Sequence, residues 1–138
     1  DITGRRASEI FASLNANNEL YKISKGKYQG VVYFAGRFFA CNYDEEGKAI
    51  YNDQDVIGFC FALSEMEHNK SISYPYITTI MFDEFLTRNV YLNDEFVLFM
   101  NVISTIVRRR TDVKIFMLGN TVNKYSPYFK EMGLNHVL

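Results

Sequence analysis

Hydrophobic residues recur at helical spacing at the start of the chain. Ala7, Ile10, Phe11 and Leu14 are three or four positions apart, with polar residues between them. This spacing places all four on one face of a helix. The asparagine-rich stretch 15–18 ends the pattern, so the first segment is predicted to be an amphipathic helix.

From Leu20 onward the pattern changes to short runs of aromatic and β-branched residues separated by turn signals. The predicted strands are residues 21–24, 31–34, 37–43 and 56–63. The turn signals are Gly26, Ala35-Gly36 and the stretch 44–47. Such runs between turn residues are typical of a meander or a pair of hairpins.

The second half of the chain alternates between strand and helix patterns. Residues 77–82 and 113–118 are apolar runs of strand length, and Asn93 or Asp94 between them is predicted to cap a helix. The apolar face of this helix consists of Phe96, Phe99, Met100, Ile103, Ile106 and Val107. This order predicts a right-handed crossover that joins two parallel strands of one sheet. A short last helix is predicted from Ser126, Pro127, Tyr128, Phe129, Met132 and Gly133.

These patterns predict the α/β fold class, with a β-hairpin- or meander-rich first half followed by a parallel strand-helix-strand unit. The length of 138 residues and the hydrophobic content of 48% fit a single domain over residues 1–138. The net charge of -1 shows no global attraction to nucleic acid, so any contact with a polyanion must come from a local basic surface.

Cysteine, histidine and apolar segments exclude several classes of protein. Cys41 and Cys60 stand in apolar runs without ligand-spaced partners, so they are predicted to be buried thiols in a reducing compartment rather than a disulfide or a zinc site. His68 and His136 are isolated from other candidate catalytic or metal-binding residues in the sequence, so no hydrolase triad or metalloenzyme is predicted. No apolar stretch has the length of a membrane span, which predicts a soluble intracellular location without a membrane partner. The start at Asp1 without Met leads us to expect a piece of a longer protein.

One strand ends in two adjacent carboxylates, in the run Ile77-Thr-Thr-Ile-Met-Phe-Asp83-Glu84-Phe85. Ligands gather outside the carboxyl ends of parallel strands, so the position suits a nucleotide. In the Walker B strand of a P-loop-type ATPase, the first carboxylate holds the Mg²⁺ that bridges the ATP phosphates, and the second polarises the attacking water. Asp83 is therefore predicted to be the metal residue and Glu84 the catalytic base. The alternative is an acidic pair that merely ends a strand.

Polar residues near the neighbouring strand support the nucleotide interpretation. Asn120 follows the next strand and can hydrogen-bond the attacking water or the terminal phosphate, although a turn after Gly119 also favours asparagine. One of Arg108, Arg109 and Arg110 can serve as an arginine finger. The alternative role for each arginine is to complement the helix C-terminus.

The phosphate-binding half of such a site is missing from the chain. A P-loop requires Gly, four residues and then Gly-Lys-Ser/Thr. The only Gly-Lys pairs are Gly26-Lys27 and Gly47-Lys48, and neither has the following hydroxyl or the earlier glycine. The chain therefore contains no Walker A motif.

Four stretches together resemble a known family. They are Ser73-Tyr-Pro-Tyr-Ile-Thr-Thr-Ile-Met-Phe-Asp-Glu-Phe85, residues 101–110, Met117-Leu-Gly-Asn120 and Ser126-Pro-Tyr-Phe129. The combination resembles the DNA-encapsidation ATPase of small tailed phages of the phi-twenty-nine type, most clearly between residues 74 and 129.

The resemblance implies part of a P-loop (ASCE-type) ATPase domain, with ATP and Mg²⁺ as ligands. It implies a homo-oligomeric ring at the portal vertex of the prohead, in the host cytoplasm, that moves double-stranded DNA. Asp83 and Glu84 match the Walker B pair, and Asn120 matches the polar residue after the next strand. Arg108 matches the finger that acts in trans, with Arg110 as the alternative finger. The family's P-loop would precede Asp1, so the isolated chain is expected to bind ATP weakly and not to hydrolyse it.

Any contacts with DNA are expected from exposed cations, although an ordinary solvated side chain is the favoured interpretation for each one taken singly. The candidates are Arg5, Arg6, Lys22, Lys25, Lys27 and Arg37. Two other functions stay open. The chain can belong to another phage-assembly or DNA-pumping ring ATPase, or it can be a non-catalytic binding or scaffold domain.

Overall fold

The computed structural model describes residues 2–65, 74, 76–83, 94–119 and 127–133, without the side chains of residues 2–5 and 129. The chain divides into two compact units, Asp1–Ala62 and Leu63–Leu138. The division agrees with the two halves expected from the sequence. That residues 1–138 form a single domain stays a prediction.

The first unit contains short helices followed by strands. The helices are α1 (Ile2–Ile10), α2 (Ala12–Ala16) and α3 (Glu19–Ile23). The strands are β1 (Gly30–Phe34), β2 (Arg37–Tyr43), β3 (Ala49–Ile50) and β4 (Val56–Phe59), with a 3-10 turn at Asp53–Asp55 before β4. Strand β2 pairs antiparallel with each of the other three.

The β1–β2 hairpin has the turn that its sequence demands. Ala35 and Gly36 connect the strands and have φ angles of 52° and 83°. Two successive positive φ angles match the right-handed twist of the flanking strands in a two-residue hairpin. The closing pair is Phe34 opposite Arg37. The predicted turn and both predicted strands are confirmed.

Helices cover one face of this sheet. Ala7, Val31 and Phe38 form a buried cluster, and Phe11 meets Phe38 edge to face at a centroid distance of 4.9 Å. Partly buried side chains that pack against the cluster are Phe11, Leu14, Leu20, Tyr33 and Cys60. Cys41 is buried, and burial raises the pKa of its thiol.

Three predictions in this unit are wrong. The first helix is interrupted at Phe11, whose backbone (φ -101°, ψ 14°) leaves the helical range, and Ile10 is 59% exposed. Residues 21–24 are largely helical rather than extended, because the chain around them satisfies its hydrogen bonds locally, from Ser24 N–H to the carbonyl of Leu20 (2.8 Å). The strand predicted over 56–63 ends at Phe59, because only Val56, Gly58 and Phe59 pair with β2.

The second unit is built around two parallel strands. Its elements are β5 (Thr79–Asp83), α4 (Glu95–Val107), β6 (Lys114–Leu118) and α5 (Pro127–Met132). The register runs from Thr79 opposite Lys114 to Asp83 opposite Leu118. The predicted parallel pairing is confirmed, and so is a mixed α/β chain with an antiparallel sheet before the parallel strands.

Helix α4 packs its apolar stripe against the strands. Phe99 and Ile103 are buried together with Tyr128 of α5, and Phe82 stacks on Phe99 at 4.7 Å. Partly buried neighbours are Leu63, Ile80, Phe82, Phe96, Val107 and Met117. Met100, predicted on the same face, is 47% exposed.

The predicted cap of α4 by the Asp94 side chain is also wrong. Asp94 has φ 51° and ψ 38° and makes no side-chain capping hydrogen bond. A side-chain cap needs extended backbone at that residue, and left-handed backbone does not provide it. Asn93, the other candidate, lies outside the described residues.

Among the described residues, no helix is long and apolar enough to cross a membrane.

Candidate functional site

Asp83 is the last residue of β5 and lies at the carboxyl edge of the parallel pair. Its exposed side chain follows Thr79 and Met81 in the two-residue alternation of the strand. Ile80 and Phe82 point to the other face, where they pack against the cluster of α4. Asp83 therefore projects on the face opposite α4, next to Leu118 of β6.

The other two residues predicted at this edge cannot be placed. Glu84 and Asn120 lie outside the described residues. The described residues end at Asp83, the last residue of β5, and at Gly119, the residue after β6. The structure thus brings Asp83 beside the strand end that Asn120 follows in the sequence.

The face that carries Asp83 is apolar beyond the carboxylate. Met81 and Phe116 are directly opposite each other on β5 and β6, and they are 65% and 48% exposed. Parallel sheets are normally covered on both faces. In the second unit, the buried cluster of α4 covers one face of the parallel pair, and Met81 and Phe116 lie on the other.

The donor set around Asp83 suits a cation that keeps most of its water. Among the described residues, no group of three or more His, Cys, Asp or Glu side chains is arranged to hold a metal ion. Mg²⁺ is commonly bound through one or two carboxylates together with substrate phosphates and water. The exposed carboxylate of Asp83 at the end of β5 fits that mode.

The arginine triplet lies at the opposite edge of the parallel pair. Arg110 donates from Nη2 to the carbonyl of Tyr74 (3.2 Å), which precedes β5, and Lys114 N–H donates to Thr78 (2.9 Å). The first contact fixes the end of α4 near the segment before β5, and the second joins the starts of the two strands. A five-residue strand separates that edge from Asp83 by about 13 Å.

Two members of the triplet are folded back onto α4. Arg110 donates to the carbonyls of Val107 and Ile106 (both 3.2 Å) and forms an ion pair with Asp112 (3.8 Å). Arg108 donates from Nε to the carbonyl of Thr105 (3.1 Å). These contacts satisfy carbonyl groups that the last turn of a helix leaves without partners.

Arg109 differs from both neighbours. Its side chain is exposed, and within the described part of the chain it takes part in no hydrogen bond or ion pair. Residue type and local spacing do not separate the three arginines, and only the family resemblance favours Arg108, with Arg110 as the alternative.

The backbone under these arginines is left-handed at two successive residues. Arg108 has a φ of 44° and Arg109 a φ of 69°. Glycine is the usual residue for such positions after a helix. Left-handed backbone costs a side-chain-bearing residue roughly 1–2 kcal/mol. The backbone just after α4 is therefore strained at both arginines.

The cations proposed for DNA contact all lie in the first unit. Arg6, Lys22, Lys25 and Lys27 are exposed, whereas Arg37 is half-buried, stands over the Phe39 ring and faces Asp53 at 3.7 Å. The side chain of Arg5 lies outside the described residues.

Comparison with known proteins supports the resemblance seen in the sequence. The DNA packaging proteins of Bacillus phages phi29 and PZA are each 33% identical to the chain over 87 residues, which make up 61% of this chain and 26% of each relative. For Bacillus phage B103 the match is 33% over 92 residues, or 64% of this chain and 29% of that protein. The chain thus matches less than a third of the length of these relatives.

Solved structures of related proteins share the fold. The crystal structure of the N-terminal domain of the DNA packaging ATPase from bacteriophage phi29 superposes with a TM-score of 0.66 at 26% identity, covering 94% of this chain and 58% of that one. The bacteriophage phi-29 genome packaging motor assembly gives a TM-score of 0.60 at 26% identity, covering 87% of this chain and 35% of that one.

A family model for the podovirus DNA encapsidation protein (Gp16) matches residues 11–136. The match extends over nearly all of the chain and includes both compact units. The chain therefore belongs to the podovirus DNA encapsidation protein (Gp16) family.

Proposed function

We propose that this chain supplies the Walker B half of the nucleotide site in a P-loop (ASCE-type) ATPase that drives the packaging of viral DNA. The observation that carries the proposal is the parallel pairing of β5 with β6, which leaves the exposed Asp83 carboxylate at the carboxyl edge. The similarity of the chain to DNA packaging proteins and to a DNA packaging ATPase supports the same activity.

Each residue at this edge has a separate task. Asp83 orients the hydrated Mg²⁺ of Mg-ATP, and that ion, when bound, neutralises charge on the phosphates. Glu84 accepts a proton from the attacking water and so raises its nucleophilicity. Asn120 hydrogen-bonds the terminal phosphate or the water and reports whether phosphate is present.

The cation for the transferring phosphoryl group comes from the arginine triplet of another copy of the chain. The sequence favours Arg108, with Arg110 as the alternative. Since the triplet lies at the strand end opposite Asp83, an arginine of the same copy is separated from the carboxylate by the length of β5. A ring of copies, in which one copy completes the site of the next, resolves this separation.

Double-stranded DNA and the prohead portal are the proposed partners, in the host cytoplasm at the portal vertex. The exposed lysines Lys22, Lys25 and Lys27 supply local positive charge in a chain whose net charge is -1. Contacts of this kind go to phosphates, so binding should weaken steeply with salt and show little sequence preference.

Hydrolysis of Mg-ATP by the gene product that carries residues 1–138 tests the proposal. Glu84→Gln removes the base and should lower kcat by about 10²–10⁴-fold, the usual contribution of general base catalysis. Asp83→Asn weakens the hold on the metal and should raise the Mg²⁺ concentration needed for half-maximal rate.

The exposed Glu65 offers a matched control in the same unit. Glu65→Gln changes the same functional group and should leave the rate within twofold of the wild type. Absence of hydrolysis in the wild-type protein, or full activity in both Glu84→Gln and Asp83→Asn, contradicts the proposal.

A further inference from the structure

Arg110 joins the end of α4 to the segment that enters β5. Its Nη2 donates to the carbonyls of Tyr74 and Ile106, and its Nε donates to the carbonyl of Val107, each at 3.2 Å. The side chain is only 24% exposed, so water competes little for these bonds. A guanidinium group can connect carbonyl groups of two chain segments because its N–H donors lie in a rigid planar fork.

The carbonyl of Tyr74 is a well-fixed acceptor. Tyr74 is 5% exposed, and the N–H of Ile77 donates to the same carbonyl oxygen (3.3 Å), which closes a turn just before β5. Next along the chain, the carbonyl of Thr78 accepts from the N–H of Lys114 at the start of β6 (2.9 Å). Arg110 therefore holds α4 to a segment that leads directly into the parallel pair.

A second contact joins α4 to β5 near the other end of the strand. Phe99 of α4 stacks on Phe82 at 4.7 Å, and Phe82 directly precedes Asp83. Apolar packing is not directional, so the aromatic stack alone lets α4 tilt on the strand. The hydrogen bonds of Arg110 remove that freedom at the end of the helix. A tilt of α4 would move Phe82, and the backbone of Asp83 would move with it.

We infer that Arg110 is a positioning residue for Asp83 of its own copy. It holds the end of α4 to the entry of β5 and thereby fixes the direction in which the Asp83 carboxylate points at the edge of the sheet. This role rests on the proposed function, because only there does Asp83 hold the metal. Arg110 then serves the site within one copy and is not the arginine finger for another. A misplacement of about 1 Å far from the chemistry can lower a rate by about 10²-fold.

Arg110→Ala in the gene product that carries residues 1–138 tests this role. It should lower kcat by about 10- to 100-fold. It should also raise the Mg²⁺ concentration needed for half-maximal rate, because the carboxylate that holds the ion is displaced. Both are measured at a temperature where circular dichroism shows the variant to be folded. A lower melting temperature with unchanged kcat and Mg²⁺ dependence would show a merely structural role and overturn the inference.

Arg110→Lys is the milder variant. It keeps the positive charge and loses the planar fork, so the Mg²⁺ requirement should rise while the melting temperature falls less than in Arg110→Ala. A Mg²⁺ dependence equal to that of the wild type would show that the fork does not position Asp83.

Two nearby variants are matched controls. Asp112→Asn removes the ion partner of Arg110 (3.8 Å) and leaves the bonds to the carbonyl groups. Lys114→Ala removes an exposed cation at the same strand end, while its N–H still donates to Thr78. Both should keep kcat and Mg²⁺ dependence close to those of the wild type. A change in Lys114→Ala as large as that in Arg110→Ala would assign the effect to lost positive charge and overturn the inference.

Mixing two variants distinguishes a role within one copy from a role across copies. Copies with Arg110→Ala retain Glu84 but misplace their own Asp83, and copies with Glu84→Gln lack the base. Mixed assemblies should therefore be no more active than the variants alone, and recovery on mixing would overturn the inference. If the wild type hydrolyses ATP and depends on Glu84 while Arg110→Ala keeps the wild-type kcat and Mg²⁺ dependence, this inference fails and the proposed function stands.

Discussion

Asn15 satisfies backbone groups at the edge of β1 that a neighbouring strand would otherwise pair. Its side-chain amide donates from Nδ2 to the carbonyl of Val31 (2.9 Å), and Val31 N–H donates to Oδ1 (2.8 Å). Gly30 makes room for this contact, since a Cβ there would come within 3.0 Å of Oδ1 and 2.7 Å of the Tyr43 hydroxyl. One side chain thus joins α2 to the sheet.

Asn15→Ala should destabilise the chain by roughly 1–3 kcal/mol, because the buried Val31 loses partners for both of its backbone groups. Urea denaturation measures the loss as a lower midpoint. Asn17→Ala, at an exposed position in the next turn, is the control and should change the midpoint little. Equal midpoints for the two variants would show that the amide contacts do not contribute.

Single residues differ in how far the sequence predicts them. Asp83 was predictable as a strand-end carboxylate, because the apolar run before it shows where the strand stops. The left-handed backbone at Arg108 and Arg109 was not, because the usual signal for it is glycine and none is present. The distinct position of Arg109 follows from that backbone, so it too required the structure.

At the level of elements, the strands and helix of the second unit were predictable and α3 was not. Helix α4 has a long apolar stripe, and β5 and β6 each contain a short apolar run, at residues 80–82 and 115–118, too short for a helix of ordinary length. In α3, Tyr21 and Ile23 alternate with Lys22 as in a strand, yet they are 51% and 72% exposed. Within α3, only Leu20 packs on the core, and one packed residue is too few to reveal a helical spacing of apolar positions.

The aromatic cluster under α4 should dominate the stability of the second unit. Phe99 stacks on Phe82 and meets Tyr128 edge to face, and it is 5% exposed. Phe99→Ala should cost about 3–5 kcal/mol, through lost burial and the cavity that remains. Thermal unfolding followed by circular dichroism measures the effect.

Met100 is the neighbouring control on the same helix. It is 47% exposed, so Met100→Ala removes a side chain of similar size that is far less buried. Its melting temperature should lie much closer to that of the wild type. A loss as large as that of Phe99→Ala would contradict the assignment of the core.

At the scale of the whole molecule, the sequence predicts half of a nucleotide site, and that site stays a prediction. The structure shows the parallel strands and places Asp83 at the end of β5, whereas Glu84 and Asn120 lie outside the described residues. No sequence in the chain has the glycine and lysine spacing that grips phosphate. Nucleotide affinity should therefore depend on groups beyond this chain.

The isolated chain of 138 residues should accordingly bind Mg-ATP with a dissociation constant larger than about 1 mM. At 1 mM, the nucleotide should therefore raise the free energy of unfolding by less than about 0.4 kcal/mol. Calorimetric titration and thermal shift measure the two quantities. Micromolar affinity, or turnover that Glu84→Gln abolishes in the isolated chain, would contradict this expectation.

The Asn15 contact also affects how copies of the chain meet one another. Among the described strands, β1 pairs with β2 alone, so its outer edge offers backbone groups to which a foreign strand can add. Asn15 occupies those groups at Val31 and interrupts the edge. Loss of this amide should therefore appear as a shorter lag time for fibril formation on storage, even under conditions where most of the protein is folded.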